Sequence, residues 1–103
     1  MVFIPQDKIT ESIVQCIKTG LIEQGLDTTV IFYDYDVLAT NIKKLQSAFP
    51  AGTLHTTAVK ANPLVKILEK IKNNDLGAEV ASEGELFLAE KAGFNPALIV
   101  FDS

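Results

Sequence analysis

Three short apolar runs, at residues 54–59, 77–81 and 98–101, recur at near-constant spacing with a helix-like stretch in each gap, and this alternation restricts the chain to a parallel α/β architecture. In the first gap Asn62 is a capping residue, Pro63 takes the favoured first helical position, and Leu64, Ile67, Leu68 and Ile71 form one apolar stripe that fades at Asn73-Asn74. The second gap opens on Ser82-Glu83-Gly84-Glu85, the pattern of a capping box, and Gly93 is placed to close its helix. Successive parallel strands joined by helices build either an open doubly wound sheet or a barrel, and in both the ligands gather at the carboxyl ends of the strands. Lys60, Ser82 and Asp102 fall at those ends.

Upstream, Ile9, Ile13, Cys16 and Ile17 share one side of a helix expected over residues 6–19, which Gly20 ends. Residues 28–33, rich in Thr, Val, Ile, Phe and Tyr after the turn-like Gly25-Leu26-Asp27, have the composition of a strand. Asp36 can then cap a helix with Leu38, Ile42, Leu45 and Phe49 on one face, stopped by Pro50-Ala51-Gly52.

At 103 residues with 48% hydrophobic content, the chain has enough apolar surface for one core but not two. Nine Lys plus Arg against thirteen Asp plus Glu give a net charge of −4, which disfavours a nucleic-acid partner. Cys16 has no second cysteine to pair with and reads as a small buried apolar residue, consistent with a reducing compartment. Only four apolar residues precede Pro5, without a basic region, and no apolar run approaches the roughly 20 residues of a membrane span. The expected location is the cytoplasm.

Chemistry centres on Lys60. It ends the run Thr57-Ala58-Val59 and precedes Asn62-Pro63, so its amine projects at the ligand edge, where partial loss of water favours attack on a carbonyl to form a Schiff base. An ordinary lysine reaching to solvent would occupy the same place. Glu79 lies within the second apolar run, either satisfied there or serving a ligand, while Glu85 is accounted for by the capping box. His55, the single histidine, sits five residues before Lys60 on the same expected strand and reads as structural. Tyr33, Asp34, Tyr35 and Asp36 fit strand alternation followed by capping; Lys66, Lys70 and Lys72 fit a solvated helix face. No Cys/His set, no Gly-x-Gly-x-x-Gly and no glycine-rich phosphate cradle followed by Lys-Ser/Thr occurs.

The string Ala58-Val59-Lys60-Ala61-Asn62 resembles the cofactor-lysine motif of the barrel-type (fold type III) pyridoxal-phosphate enzymes. Phe32 to Leu38 is similar to that family's lead-in strand and first helix, and Phe49-Pro50 with Leu54-His55 to the approach to its lysine strand. The stretch from Gly77 to Leu86 resembles the second barrel strand and its turn, and Ala92-Gly93-Phe94 with Ile99-Val100-Phe101 resembles the third. Ser82 to Leu86 is closest to the diaminopimelate branch of the diaminopimelate and ornithine decarboxylases, and the continuation Pro63-Leu64-Val65 departs from the alanine racemases.

This resemblance, which covers about residues 28–103, implies an incomplete parallel (β/α) barrel with those residues as a lead-in strand plus the first three barrel strands, preceded by residues 1–27 as a leading helix and connection. It implies pyridoxal 5′-phosphate as cofactor, Lys60 as the lysine of the internal aldimine, and Glu79 beside it at a position where the family more often has Asp. The implied reaction is decarboxylation of a basic or diamino amino acid, most favourably diaminopimelate to lysine, with ornithine, arginine or lysine as alternatives. Since an eight-stranded barrel takes about 250 residues, the chain is expected to be an amino-terminal portion, inactive alone. The resemblance places a phosphate site, an acidic partner for the pyridine nitrogen and a β-rich domain completing a homodimeric site further along. A non-enzymatic binding or assembly module is the competing reading.

Overall fold

The computed structural model describes residues 3–102, which divide into two compact units that meet in the chain between Val37 and Leu38. In the first unit, helix α1 (Gln6–Lys18) forms as its periodicity predicts, but none of its residues is buried. Ile9, Ile13 and Val14 are exposed and Cys16 is half-buried, so the expected buried cysteine is not found. Periodicity reports which face could be covered, and covering it requires a partner surface.

Residues 28–33, expected as a strand, form no ladder. Strand composition specifies a pleated surface that fits against a neighbour, and among the described residues the sheet pairs only the three strands below. Helix α2 (Tyr35–Ser47) follows. Its cap is Asp34 and not Asp36: the Asp34 Oδ1 accepts the Asp36 and Val37 amides at 2.9 and 3.0 Å, and Asp36 falls inside the first turn.

The second unit carries a parallel sheet of β1 (Thr56–Ala58), β2 (Gly77–Val80) and β3 (Ile99–Phe101), in that spatial order. Thr57, Ala78 and Ile99 stand side by side in register, as do Ala58, Glu79 and Val100. Helices α3 (Val65–Lys72) and α4 (Glu83–Lys91) connect the strands. Val59, Leu68, Ala78, Val80 and Ala89 are wholly buried, and with Ile42, Ile67, Ile71 and Phe94 they form one core between the helices and a single face of the sheet. Side chains alternate along a strand, so Glu79, between buried Ala78 and Val80, stands on the face away from α3 and α4.

Helix α3 starts later than expected. Asn62 accepts the Leu64 amide at 3.3 Å in a local turn, Leu64 is the residue before the helix and half exposed, and the buried stripe is Ile67, Leu68 and Ile71. Helix α4 ends as predicted. Gly93 has φ +85°, its amide donates to the Glu90 carbonyl at 2.9 Å, and the Phe94 amide donates to that of Ala89 at 3.1 Å. This Schellman closure satisfies two otherwise orphaned carbonyls and seats the Phe94 ring in the core.

Candidate functional site at the carboxyl edge of the sheet

The sequence-predicted edge residues all lie beyond strand ends. β1 stops at Ala58, and the next three residues, Val59–Ala61, form a 3-10 helical turn with Lys60 at its centre. Burial of Val59 anchors the turn, the Asn62 amide closes it on the Val59 carbonyl at 3.2 Å, and Lys60 is exposed. The turn also packs against β2 and α4. A primary amine is thus carried by a short, doubly held segment and not by a loose loop. Among the described residues, Lys60 makes no ion pair.

Across from it, the chain leaves β2 after Val80 and passes through Ala81 to the exposed cap Ser82, whose Oγ accepts the Glu85 amide at 3.2 Å. The Glu85 carboxylate accepts the Ala81 amide at 2.6 Å, one residue before the position that a standard capping box would reach. The Ser82 half of the expected capping box forms; the Glu85 half does not, because its carboxylate reaches the Ala81 amide in place of the Ser82 amide, a choice between successive amides that spacing cannot make. Asp102 follows β3 directly, its amide donating to the Val80 carbonyl at 2.8 Å. Glu79 is half-buried one row below the edge, beside Ala58. His55 lies at the opposite end of β1, edge-on to Phe49 with ring centroids 5.1 Å apart, and its carbonyl accepts the Gly77 amide at 2.8 Å. These contacts fit the structural reading of this histidine. Among the described residues no three His, Cys, Asp or Glu side chains gather as a metal site.

Within the first unit, a hollow of about 330 Å³ is lined by Ile4, Ile9, Phe32, Tyr33 and the Lys8–Asp34 ion pair, whose Nζ and Oδ2 are 2.5 Å apart. The hydrogen bond from Lys8 holds the Asp34 carboxyl below its usual range, assisted by the Val37 amide, and the same hydrogen bond raises the Lys8 ammonium. The pair thereby braces the cap of α2.

The edge fits pyridoxal phosphate. An aldehyde cofactor needs an accessible primary amine at the ligand side of a parallel sheet, and Lys60 supplies it, with the Glu79 carboxylate one strand away. A family model described as the pyridoxal-binding domain of pyridoxal-dependent decarboxylases matches residues 36–103. A diaminopimelate decarboxylase of Archaeoglobus fulgidus is 33% identical over 90 residues, covering 86% of this chain and 21% of the relative. A diaminopimelate decarboxylase of Zymomonas mobilis is 44% identical over 59 residues, 57% of this chain and 14% of the relative. An L-glutamyl-(BtrI acyl-carrier protein) decarboxylase of Niallia circulans is 33% identical over 75 residues, 73% and 18% respectively. The chain matches about a fifth or less of the length of these curated relatives. No solved structure gives a significant match. With two thirds of its residues inside the matched domain, the chain belongs to the pyridoxal-dependent decarboxylase family, whose cofactor is pyridoxal 5′-phosphate.

Proposed function

We propose that this chain supplies the cofactor-lysine segment of an amino-acid decarboxylase barrel, with Lys60 as the residue that holds pyridoxal phosphate and Glu79 as its neighbouring carboxylate. The observation that carries the proposal is an exposed lysine at the centre of a turn that is itself pinned by a fully buried neighbour, at the ligand edge of a parallel sheet. Sequential strand order with α3 and α4 on one face supports the barrel, because right-handed crossovers between neighbouring strands keep their helices on the outside.

When bound, pyridoxal phosphate supplies the electron sink for loss of carbon dioxide from an amino acid. What this chain's own residues contribute is simpler. Lys60 presents its amine at the open edge and can take or release a proton at Nζ; Glu79, on the face away from the helices, places negative charge beside the strand that leads into Lys60. Diaminopimelate is the proposed substrate, supported by the named activity of two of the relatives above. The Niallia circulans relative, named for a glutamyl carrier protein, is similar to the same segment; ornithine, arginine and lysine are the alternative substrates. We place the complete protein in the cytoplasm as a homodimer.

One observation favours a second reading, assembly without catalysis: Val100 and Phe101 of β3 are 43% and 50% exposed, an apolar strand open to pairing. The test is incubation of the chain with pyridoxal phosphate, borohydride reduction and peptide mass mapping. Stoichiometric label at Lys60, absent in Lys60→Ala, is the expected result. Label scattered over the surface lysines would overturn the cofactor-lysine assignment in this chain and favour assembly.

A further inference from the structure

Two backbone groups at the site are diverted from the sheet. On the β1–β2 ladder the Gly77 amide donates to the His55 carbonyl, and the same offset carried up the strands pairs the Ala81 amide with the Val59 carbonyl. The corresponding rung does form on the other side of β2, where the Asp102 amide reaches the Val80 carbonyl at 2.8 Å. Between β1 and β2 it is missing. The Val59 carbonyl instead accepts the Asn62 amide and closes the turn around Lys60, while the Ala81 amide is taken by the Glu85 carboxylate at 2.6 Å.

From this exchange we infer that Glu85 is a positioning residue for Lys60. It occupies the amide that would otherwise compete for the Val59 carbonyl, and so lets the Lys60 turn peel away from β1. Without that acceptor, the half-buried Ala81 amide gains by pairing with Val59, because an unpaired buried donor is costly. Re-forming the rung straightens Val59–Ala61 and takes the Asn62 amide off its partner. Glu85 therefore acts through length: its carboxyl oxygen must span from the first turn of α4 back to Ala81. Charge at the helix terminus is not sufficient. The functional meaning of this role rests on Lys60 being the cofactor lysine; the backbone exchange does not.

The test compares Glu85→Gln, which keeps the length and an acceptor oxygen, with Glu85→Asp, which keeps the charge but is one methylene too short, and with Ser82→Ala, which weakens the helix cap without touching the Ala81 amide. Amide hydrogen exchange is read at Asn62, and the rate of borohydride-trapped pyridoxal labelling at Lys60. Glu85→Asp is expected to speed Asn62 exchange about tenfold and slow Lys60 labelling by a similar factor, with Glu85→Gln and Ser82→Ala within about twofold of the parent chain. An unchanged Asn62 amide in Glu85→Asp overturns the inference, as does an equal effect of Ser82→Ala, which would make Glu85 a helix cap only. If the amide pattern holds but the parent chain takes no label at Lys60, the positioning of the turn stands and the cofactor reading is what fails.

Discussion

Replacing Gly77 by alanine tests the register that brings Lys60, Glu79 and Ser82 to one edge. A Cβ built on Gly77 would stand 2.3 Å from the Leu98 carbonyl oxygen, 3.3 Å from its carbon and 3.2 Å from the Thr56 Cγ2. The oxygen is backbone, fixed at the end of a 3-10 turn (Pro96–Leu98) that Asn95 caps by accepting the Ala97 amide, so a side-chain rotation cannot relieve the clash. β3 has to move away from β2 or β2 from β1. Overpacking of this kind costs about 1–3 kcal/mol, and weakening one or two ladder hydrogen bonds adds about 0.5–1.5 kcal/mol each. Against this, the alanine gains about 0.4–1 kcal/mol by restricting the unfolded chain. The net expectation is a loss of about 2–3 kcal/mol. Gly84→Ala is the internal control, since its Cβ would meet only the Ser82 Oγ at 3.9 Å and the position lies in the first turn of α4, where alanine is favoured by up to about 1 kcal/mol. Urea unfolding followed by circular dichroism reads both. Equal stability of Gly77→Ala and the parent chain would refute the packing of Leu98 over β2, and with it the alignment of the three strand ends.

Three further outcomes follow from the same structure. Leu68→Ala, at a wholly buried site of α3, is expected to cost about 2–5 kcal/mol in the same unfolding assay, and a loss below about 1 kcal/mol would mean that α3 is not the core of its unit. The Asp34 carboxyl, held below its ordinary 3.8 by Lys8, contributes stability above that value and loses it as the pH falls through the lowered native value. Lys8, raised above 10.5, contributes below that value and loses it as the pH rises through its own raised value. The Val37 amide shift should therefore be flat between these limits and move at both ends, and Asp34→Asn should abolish the acid limb; an acid limb that survives would assign it elsewhere. Finally, the 103-residue chain with pyridoxal phosphate should release no carbon dioxide from diaminopimelate above a free-amine blank, and release that depends on Lys60 would show that the edge alone is catalytic.

Local chemistry was readable in the sequence wherever the deciding atoms are close in the chain. Ser82 caps α4 as its spacing predicts, and Gly93 closes it, because both motifs are complete within six residues or fewer. The cap of α2 failed for the opposite reason. Asp34 and Asp36 are chemically identical candidates, and what selects Asp34 is its second carboxylate oxygen pairing with Lys8 on another helix. Residues 28–33 and the stripe of α1 failed together: composition and periodicity specify a surface suited to burial, while formation or burial depends on a partner that spacing does not contain. At the candidate site, Lys60 and the edge were legible from the alternation of runs. The 3-10 turn that presents Lys60 was not, because it depends on a competition between the Asn62 and Ala81 amides for one carbonyl.

That competition also explains why a charged edge can coexist with so small a sheet. Ala78 and Val80 supply the core face of β2, and the alternation of the strand sends Glu79 to the other face, where its carboxylate keeps contact with solvent and carries little burial cost. Beyond Val80 the strand no longer has to satisfy a neighbour on the β1 side, because Glu85 has taken its last free amide. The Lys60 turn is then free to leave the sheet plane while Val59 remains in the core. An amine so placed combines an anchored backbone with an accessible Nζ, the two requirements that a lysine reacting with an aldehyde must meet at once. Substituting Val59 would attack the anchor and Glu85 the release, so the two residues should affect Lys60 in different ways: the first through the stability of the unit, the second through the conformation of the turn alone.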